Sequence, residues 1–260
     1  MSKLNAYFPL KNKVAVITGA ARGMALHIAG ALSAADARLA ILDARVQEGR
    51  AVARMLGGAQ DRARFWQLDV SDNNAVQRTM AAVEAHFGRI DILINSAGID
   101  VDHPSAPELP IRQWERAAQL NLNGGIVCTK HVLAAMVRVG GGSIVNVLSL
   151  YNLAEGRQDR TDEASTEALH LAGLNAQRYA SCNIRINSIQ PGFLRPPKLA
   201  EAMREAGELT QMLTDRAERQ MLRGSGSATD VAAAILYLVS DASRFVSGSE
   251  LVIDAGYGGR

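Results

Sequence analysis

The sequence predicts an α/β fold of the doubly wound kind, a seven-stranded parallel sheet with helices on both faces. Three observations carry this. Short apolar runs rich in Val and Ile recur along the chain, several without polar alternation, as strands covered on both faces require. Longer segments with helical character separate them. The first apolar run leads directly into a glycine-containing turn and then a helix.

The strands follow in order. Val14–Thr18 (VAVIT) is closed by Gly19, and Leu39–Leu42 (LAIL) ends in Asp43. Phe65–Leu68 (FWQL), Ile90–Asn95 (IDILIN) and Ser143–Leu148 (SIVNVL) come next. Ile184–Ile189 (IRINSI) and Leu251–Ile253 (LVI) complete the set. The helices between them read as Arg22–Ala34, Val46–Leu56, Asn74–Phe87, Ile111–Val139, Asp162–Tyr179 and Thr229–Leu238. Strand–helix alternation of this kind requires right-handed crossovers. No internal repeat, low-complexity tract or linker interrupts residues 1–260, so one domain is expected. The irregular stretch from Gln190 to Ser227 carries PGFLRPPK and then a charged helix pattern, and it is expected to form a lid (about 190–227) over a site.

Composition narrows the function classes. The 260 residues are 48% hydrophobic and 21% charged, near globular averages, which excludes long disorder and fibrous architectures. Lys plus Arg number 28 against 26 Asp plus Glu, a net charge of +2. That excess gives no argument for nucleic acid or an anionic membrane as partner. Cys128 and Cys182 show neither CxxC nor metal spacing, so they read as buried free thiols with no metal implied. The N-terminus lacks the apolar core of a secretory signal, and the longest apolar run, Val231 to Val239, is short for a membrane span. A soluble, cytoplasmic protein is expected.

In an open parallel sheet the ligand crevice lies beyond the carboxyl ends of the strands. The turn Thr18–Ala25 (TGAARGMA) sits there. Gly19 and Gly23 would let the backbone approach a pyrophosphate at the helix N-terminus. Asp43, at the end of the second strand, would accept hydrogen bonds from an adenosine ribose and repel a 2′-phosphate. The alternative role for Asp43 is to cap the next helix. Strand, turn, helix and acid in this order point to a dinucleotide such as NAD.

These residues, with several further segments, resemble the short-chain dehydrogenase/reductase family from about Leu10 to Gly258. The further segments are Asp69 in LDVSD, NSAG at Asn95–Gly98, NLNG at Asn121–Gly124, SIVNVLS ending at Ser149, RINSIQPG at Arg185–Gly192, and the closing ATDVAAAILYLVSD…FVSGSELVIDAG. The resemblance implies a Rossmann-like, tetramer-forming fold. It also implies that Asp69 contacts adenine and that the Asn95 loop lines the cofactor cleft. In the family a tyrosine acts as acid/base, and a lysine four residues later lowers its pKa and holds the nicotinamide ribose. A serine orients the substrate oxygen, and an asparagine supports a water chain.

Ser149 and Asn121 match the serine and the asparagine. The tyrosine and lysine do not survive. The stretch that aligns with them reads DEAST, which puts Asp162 at the tyrosine position and Thr166 at the lysine position. No other pair substitutes. The five lysines are Lys3, Lys11, Lys13, Lys130 and Lys198, and only Tyr7 with Lys11 has the spacing, ahead of the first strand. His170 follows Asp162 by about two helical turns, roughly 12 Å, too far to act at the same oxygen. Pro196 stands where the family usually has a threonine near the nicotinamide, and Ala25 replaces the third glycine of the turn. The adenosine side at Gly19, Gly23, Asp43 and Asp69 is largely kept, so NAD binding to this chain is expected to be weak or absent.

The expected function is therefore a catalytically inactive subunit that supports an active homologous short-chain dehydrogenase in a heterotetramer. The resemblance is to degenerate subunits of NAD-dependent dehydrogenases in acyl-CoA β-oxidation-like pathways. Two alternatives stay open: an active oxidoreductase with Asp162 as base, and a nucleotide-sensing regulator. Asn121 and Ser149 are remnants with either a structural or a substrate-contact role. The small residues from Ala164 to Ala180 suit close helix packing, against the sheet or against a partner.

Overall fold

The computed structural model describes residues 8–57, 62–97, 111–148, 173–192 and 226–256, with the backbone alone at 111–119 and at 121. These residues form one parallel sheet of seven strands in the order β3-β2-β1-β4-β5-β6-β7. The strands are β1 (Val14–Thr18), β2 (Arg38–Asp43), β3 (Ala63–Gln67), β4 (Ile92–Asn95), β5 (Gly142–Val147), β6 (Ile184–Pro191) and β7 (Glu250–Ile253). The helices are α1 (Gly23–Ala34), α2 (Val46–Gly57), α3 (Asn73–Phe87), α4 (Ile111–Arg138), α5 (173–179) and α6 (Ala228–Val239). The order reverses between β1 and β4, which marks the switch point where a doubly wound sheet opens a crevice.

Alternating strand residues feed two apolar layers. Ile17, Ile41, Ile94 and Val145 pack with Ile28 and Leu32 of α1, Val52 of α2 and Ile235 of α6. Val16, Leu42, Leu93 and Ile144 pack with Met80 of α3 and with Cys128, Val132 and Met136 of α4. Each fully buried aliphatic side chain contributes roughly 1.5–3 kcal/mol relative to exposure. Because the sheet is covered on both faces, its strands show the continuous apolar runs from which they were inferred.

Boundaries differ from the sequence expectation where pairing is long-range. β6 continues to Pro191, inside the stretch expected to be irregular, since Pro191 pairs in register with Ile253 and the Gly192 amide donates to Ile253 O at 2.8 Å. A proline is tolerated at such a strand end. β4 starts at Ile92 rather than Ile90. Just before it, the Asp91 carboxylate accepts from the Val14 amide at 2.9 Å and from Arg89 Nε at 2.8 Å, so it closes the lower end of β1.

Helix starts fall into two kinds. Asp72 caps α3, its Oδ1 accepting from the Asn74 and Ala75 amides at 2.9 and 3.0 Å. Ser227 and Asp230 form a capping box on α6. At α1 the N-cap residue, Arg22, makes no side-chain capping bond, and the first turn holds no acid. Among the described residues no helix is long and apolar enough to cross a membrane.

Candidate functional site

The turn after β1 forms the floor of the crevice. Gly19 has φ +69°, and a Cβ there would come within 3.0–3.2 Å of the Ala97 backbone. Only glycine satisfies both conditions. Thr18 fixes the opposite wall, since its Oγ1 accepts from the Ser96 and Ala97 amides at 3.0 and 3.1 Å. The ends of β1 and β4 are thus held together, directly before the Gly-containing turn.

Gly23 opens α1 with φ +58°. With no capping bond from the Arg22 side chain, the first-turn amides of this helix suit an anion, and the helix dipole adds to the attraction. Ala25 is 3% exposed and belongs to the apolar layer between α1 and the sheet. Its methyl therefore packs inward, as does the third residue of such a turn in setting helix–strand distance.

Asp43 is 7% exposed at the end of β2. Its Oδ2 accepts from the Ala21 amide at 3.0 Å and its Oδ1 from the Arg45 amide at 2.9 Å. The carboxylate thus ties the turn to β2, a bracing role beyond the two considered from sequence. Each oxygen retains acceptor capacity for a ribose hydroxyl. Asp69 is exposed beyond β3, and its Oδ1 accepts from the Ser71 amide and hydroxyl at 2.9 and 2.7 Å. Gly19, Gly23, Asp43 and Asp69 therefore all lie at the carboxyl ends of β1, β2 and β3.

Asn95 sits at the end of β4 with its side chain turned into the protein, 4% exposed. Its Nδ2 lies 2.8 Å from Asn146 Oδ1, 3.2 Å from Thr129 Oγ1 and 3.3 Å from Gly125 O. It braces β4 against β5 and α4, and the adjoining residues Ser96 and Ala97 face the turn. Gly124 lets α4 come close to the segment after β3, as a Cβ there would meet Val70 Cγ2 at 2.5 Å. Sequence reading missed Thr18, Thr129 and Asn146 as partners; only the sheet order and the packing of α4 on the sheet bring them together.

Asn121 lies on α4, within the span described by backbone alone. Ser149, Asp162, Thr166, His170 and Pro196, and the lid between residues 193 and 225, lie outside the described residues. Cys128 is buried in the α4 layer and Cys182 is half-buried; both are free thiols. Burial pushes the Cys128 thiol up to about 12, so it stays protonated and unreactive.

A glycine turn at the switch point, the helix N-terminus that follows it and a carboxylate at the end of β2 define a dinucleotide-binding α/β protein. Over residues 19–258 the chain matches the family model described as enoyl-(acyl carrier protein) reductase. It is 36% identical over 250 residues to the cis-4-hydroxycyclohexanecarboxylate dehydrogenase of Sinomonas cyclohexanicum, covering 94% of this chain and 96% of that one. The structure of a short-chain type dehydrogenase/reductase from Mycobacterium ulcerans superposes with a TM-score of 0.83 at 29% identity, covering 97% of this chain and 92% of the other. A gluconate 5-dehydrogenase from Burkholderia cenocepacia, solved with NADP and tartrate, gives a TM-score of 0.82 at 26% identity and 99% coverage of both chains. The chain belongs to the short-chain dehydrogenase/reductase family.

Proposed function

We propose that the chain is a non-catalytic subunit of a heteromeric NAD-dependent short-chain dehydrogenase. Its role is structural or regulatory support of an active homologous subunit within a tetramer. The observation that carries this reading is the joint replacement of tyrosine and lysine by Asp162 and Thr166 in a chain whose adenosine side is kept. Losing a positioned acid/base costs about 10²–10⁴-fold before any loss of cofactor orientation. The substrate class proposed for the complex is a hydroxyacyl-CoA. The particular case is 2-(α-hydroxybenzyl)succinyl-CoA, oxidised by the corresponding dehydrogenase of anaerobic toluene degradation.

The nicotinamide of NAD, when bound, accepts a hydride from the alcohol carbon. In this chain Gly19, Gly23 and the first turn of α1 would hold the pyrophosphate, and Asp43 and Asp69 the adenosine end. Exposed apolar side chains support assembly. Phe245, in the segment before β7, is 100% exposed and Val252 of β7 46%, while Ile126 of α4 and Leu174 of α5 are 38% and 49% exposed.

A second reading, an active oxidoreductase with Asp162 as base, is favoured by the relatives named as dehydrogenases over nearly the full length. The kept adenosine side also suits a nucleotide-sensing regulator. Co-expression with a homologue carrying an intact serine, tyrosine and lysine set, followed by size-exclusion chromatography and assays, separates them. A mixed tetramer whose activity depends on the partner's tyrosine supports the first reading. Turnover of about 1 s⁻¹ by this chain alone, an ordinary enzyme rate, lost on Asp162→Asn, overturns it. Partner binding that responds to nucleotide without turnover selects the regulator.

A further inference from the structure

The outer margin of the sheet presents a surface unrelated to the crevice. β3 ends the strand order, so one of its edges has no neighbouring strand among the described residues. Its bonds to β2 begin at Arg62 O, which accepts from the Leu39 amide, and end at the Leu68 amide, which donates to Asp43 O. In a parallel ladder the residues bonded to one neighbour alternate. Arg64 and Trp66 therefore face β2, while Ala63, Phe65 and Gln67 direct N–H and C=O outward. The last turn of α2 shields Ala63, because a Cβ on Gly57 would lie 3.1 Å from Ala63 O. Phe65 and Gln67 stay open.

Between this edge and α2 runs a groove of about 560 Å³. Arg50, Arg54 and Arg64 line it together with Val46, Ala53 and Phe65, and among the described residues no carboxylate does. Arg64 already lies 3.0 Å from His86 Nδ1 and sits over the Trp66 ring. Arg50 and Arg54 are exposed one helical turn apart, and neither has an ion-pair or hydrogen-bond partner among the described residues. Like charges at that spacing repel.

We propose that this groove binds an extended acidic peptide segment of another protein, added as a further strand beside β3. Two features select that occupant. The outward carbonyls of Phe65 and Gln67 can accept from backbone N–H donors, which a peptide supplies and a small anion such as phosphate does not. Alternate residues of an extended strand lie about 6.7 Å apart on one face, close to the roughly 6 Å rise between Arg50 and Arg54. Carboxylates at every second position of the added strand thus meet both guanidinium groups. Arg64, on the strand itself, disfavours pairing of this edge with the same edge of a second copy.

The test titrates the full chain into a fluorescein-labelled peptide of alternating Glu and Val, read by anisotropy and by amide hydrogen exchange. Saturable binding is expected, with slowed exchange at Phe65 and Gln67. The double substitution Arg50→Glu with Arg54→Glu should weaken binding at least tenfold, and Arg54→Gln alone about threefold. One of two peptides N-methylated at alternate residues should bind at least tenfold more weakly than the parent. Absence of saturable binding overturns the proposal. So does undiminished binding of both methylated peptides, or displacement of the peptide by tripolyphosphate at equal concentration, which would make the groove a small-anion site.

Discussion

The side-chain amide of Asn95 donates to Asn146 Oδ1 at 2.8 Å and ties neighbouring strands β4 and β5. The same amide reaches toward Thr129 Oγ1 and Gly125 O, while Asn95 Oδ1 is buried without a hydrogen-bond partner. The site is therefore built around a donor. Asn95→Ala is expected to cost about 1–3 kcal/mol, the penalty for buried groups left unpaired. Asn95→Asp should cost more, because it sets a carboxylate against the Gly125 carbonyl. Urea unfolding of both variants at pH 7 checks the order.

Gly124 measures how closely α4 must approach the segment after β3. Gly124→Ala is expected to destabilise by about 1–3 kcal/mol through overpacking against Val70. The better helix propensity of alanine, about 1 kcal/mol, offsets part of this. Adding Val70→Ala should recover much of the loss, and a double-mutant cycle reads the coupling.

Asp43 should set nucleotide preference. If the chain takes up either dinucleotide, calorimetry should show NAD binding more tightly than NADP, since a 2′-phosphate would face this carboxylate. Asp43→Ser should narrow the difference and also lower the melting temperature, because the Ala21 and Arg45 amides lose their acceptor. Tighter NADP binding by the unaltered chain would sink the assignment.

The two thiols should react differently. With its pKa pushed up to about 12 by burial, Cys128 should resist iodoacetamide at pH 8 and label only as the chain unfolds. Cys182, half-buried after α5, should label in the native state. Mass spectrometry after a timed pulse distinguishes them.

His131 on α4 contacts Asn73 Oδ1 at 3.0 Å, linking α4 to the start of α3. Desolvation, then the charge of Lys130, lowers its pKa below 6.5. The folded state thus disfavours the protonated ring, so the stability is complete above about pH 6.5 and falls as pH drops through the window below it. The site is mostly exposed, so the slope should be shallow, and His131→Gln should flatten it in unfolding curves taken from pH 7.5 to 5.5.

Strand positions were legible because a sheet covered on both faces writes itself as apolar runs. The end of β6 was not, because Pro191 is held by Ile253, more than sixty residues away. The Gly turn and Asp43 were legible as local order along the chain. The inward orientation of Asn95 was not, since it depends on Gly125, Thr129 and Asn146 converging from α4 and β5. Ala176, one of the small residues between Ala164 and Ala180, is 4% exposed and packs in the sheet layer, a choice that helical spacing alone leaves undecided.

Anion binding at the start of α1 would make the molecule a gauge of its surroundings. Asp72 and Ser227 cap their helices from within the chain, whereas the N-cap side chain of α1 makes no capping bond. An anion that occupies this helix start raises folding stability logarithmically with concentration, by about 2.7 kcal/mol at a hundredfold excess over Kd. That matches the burial of a whole leucine side chain. With such an anion bound, resistance to heat and to proteases would rise with its concentration, whether or not the chain performs chemistry.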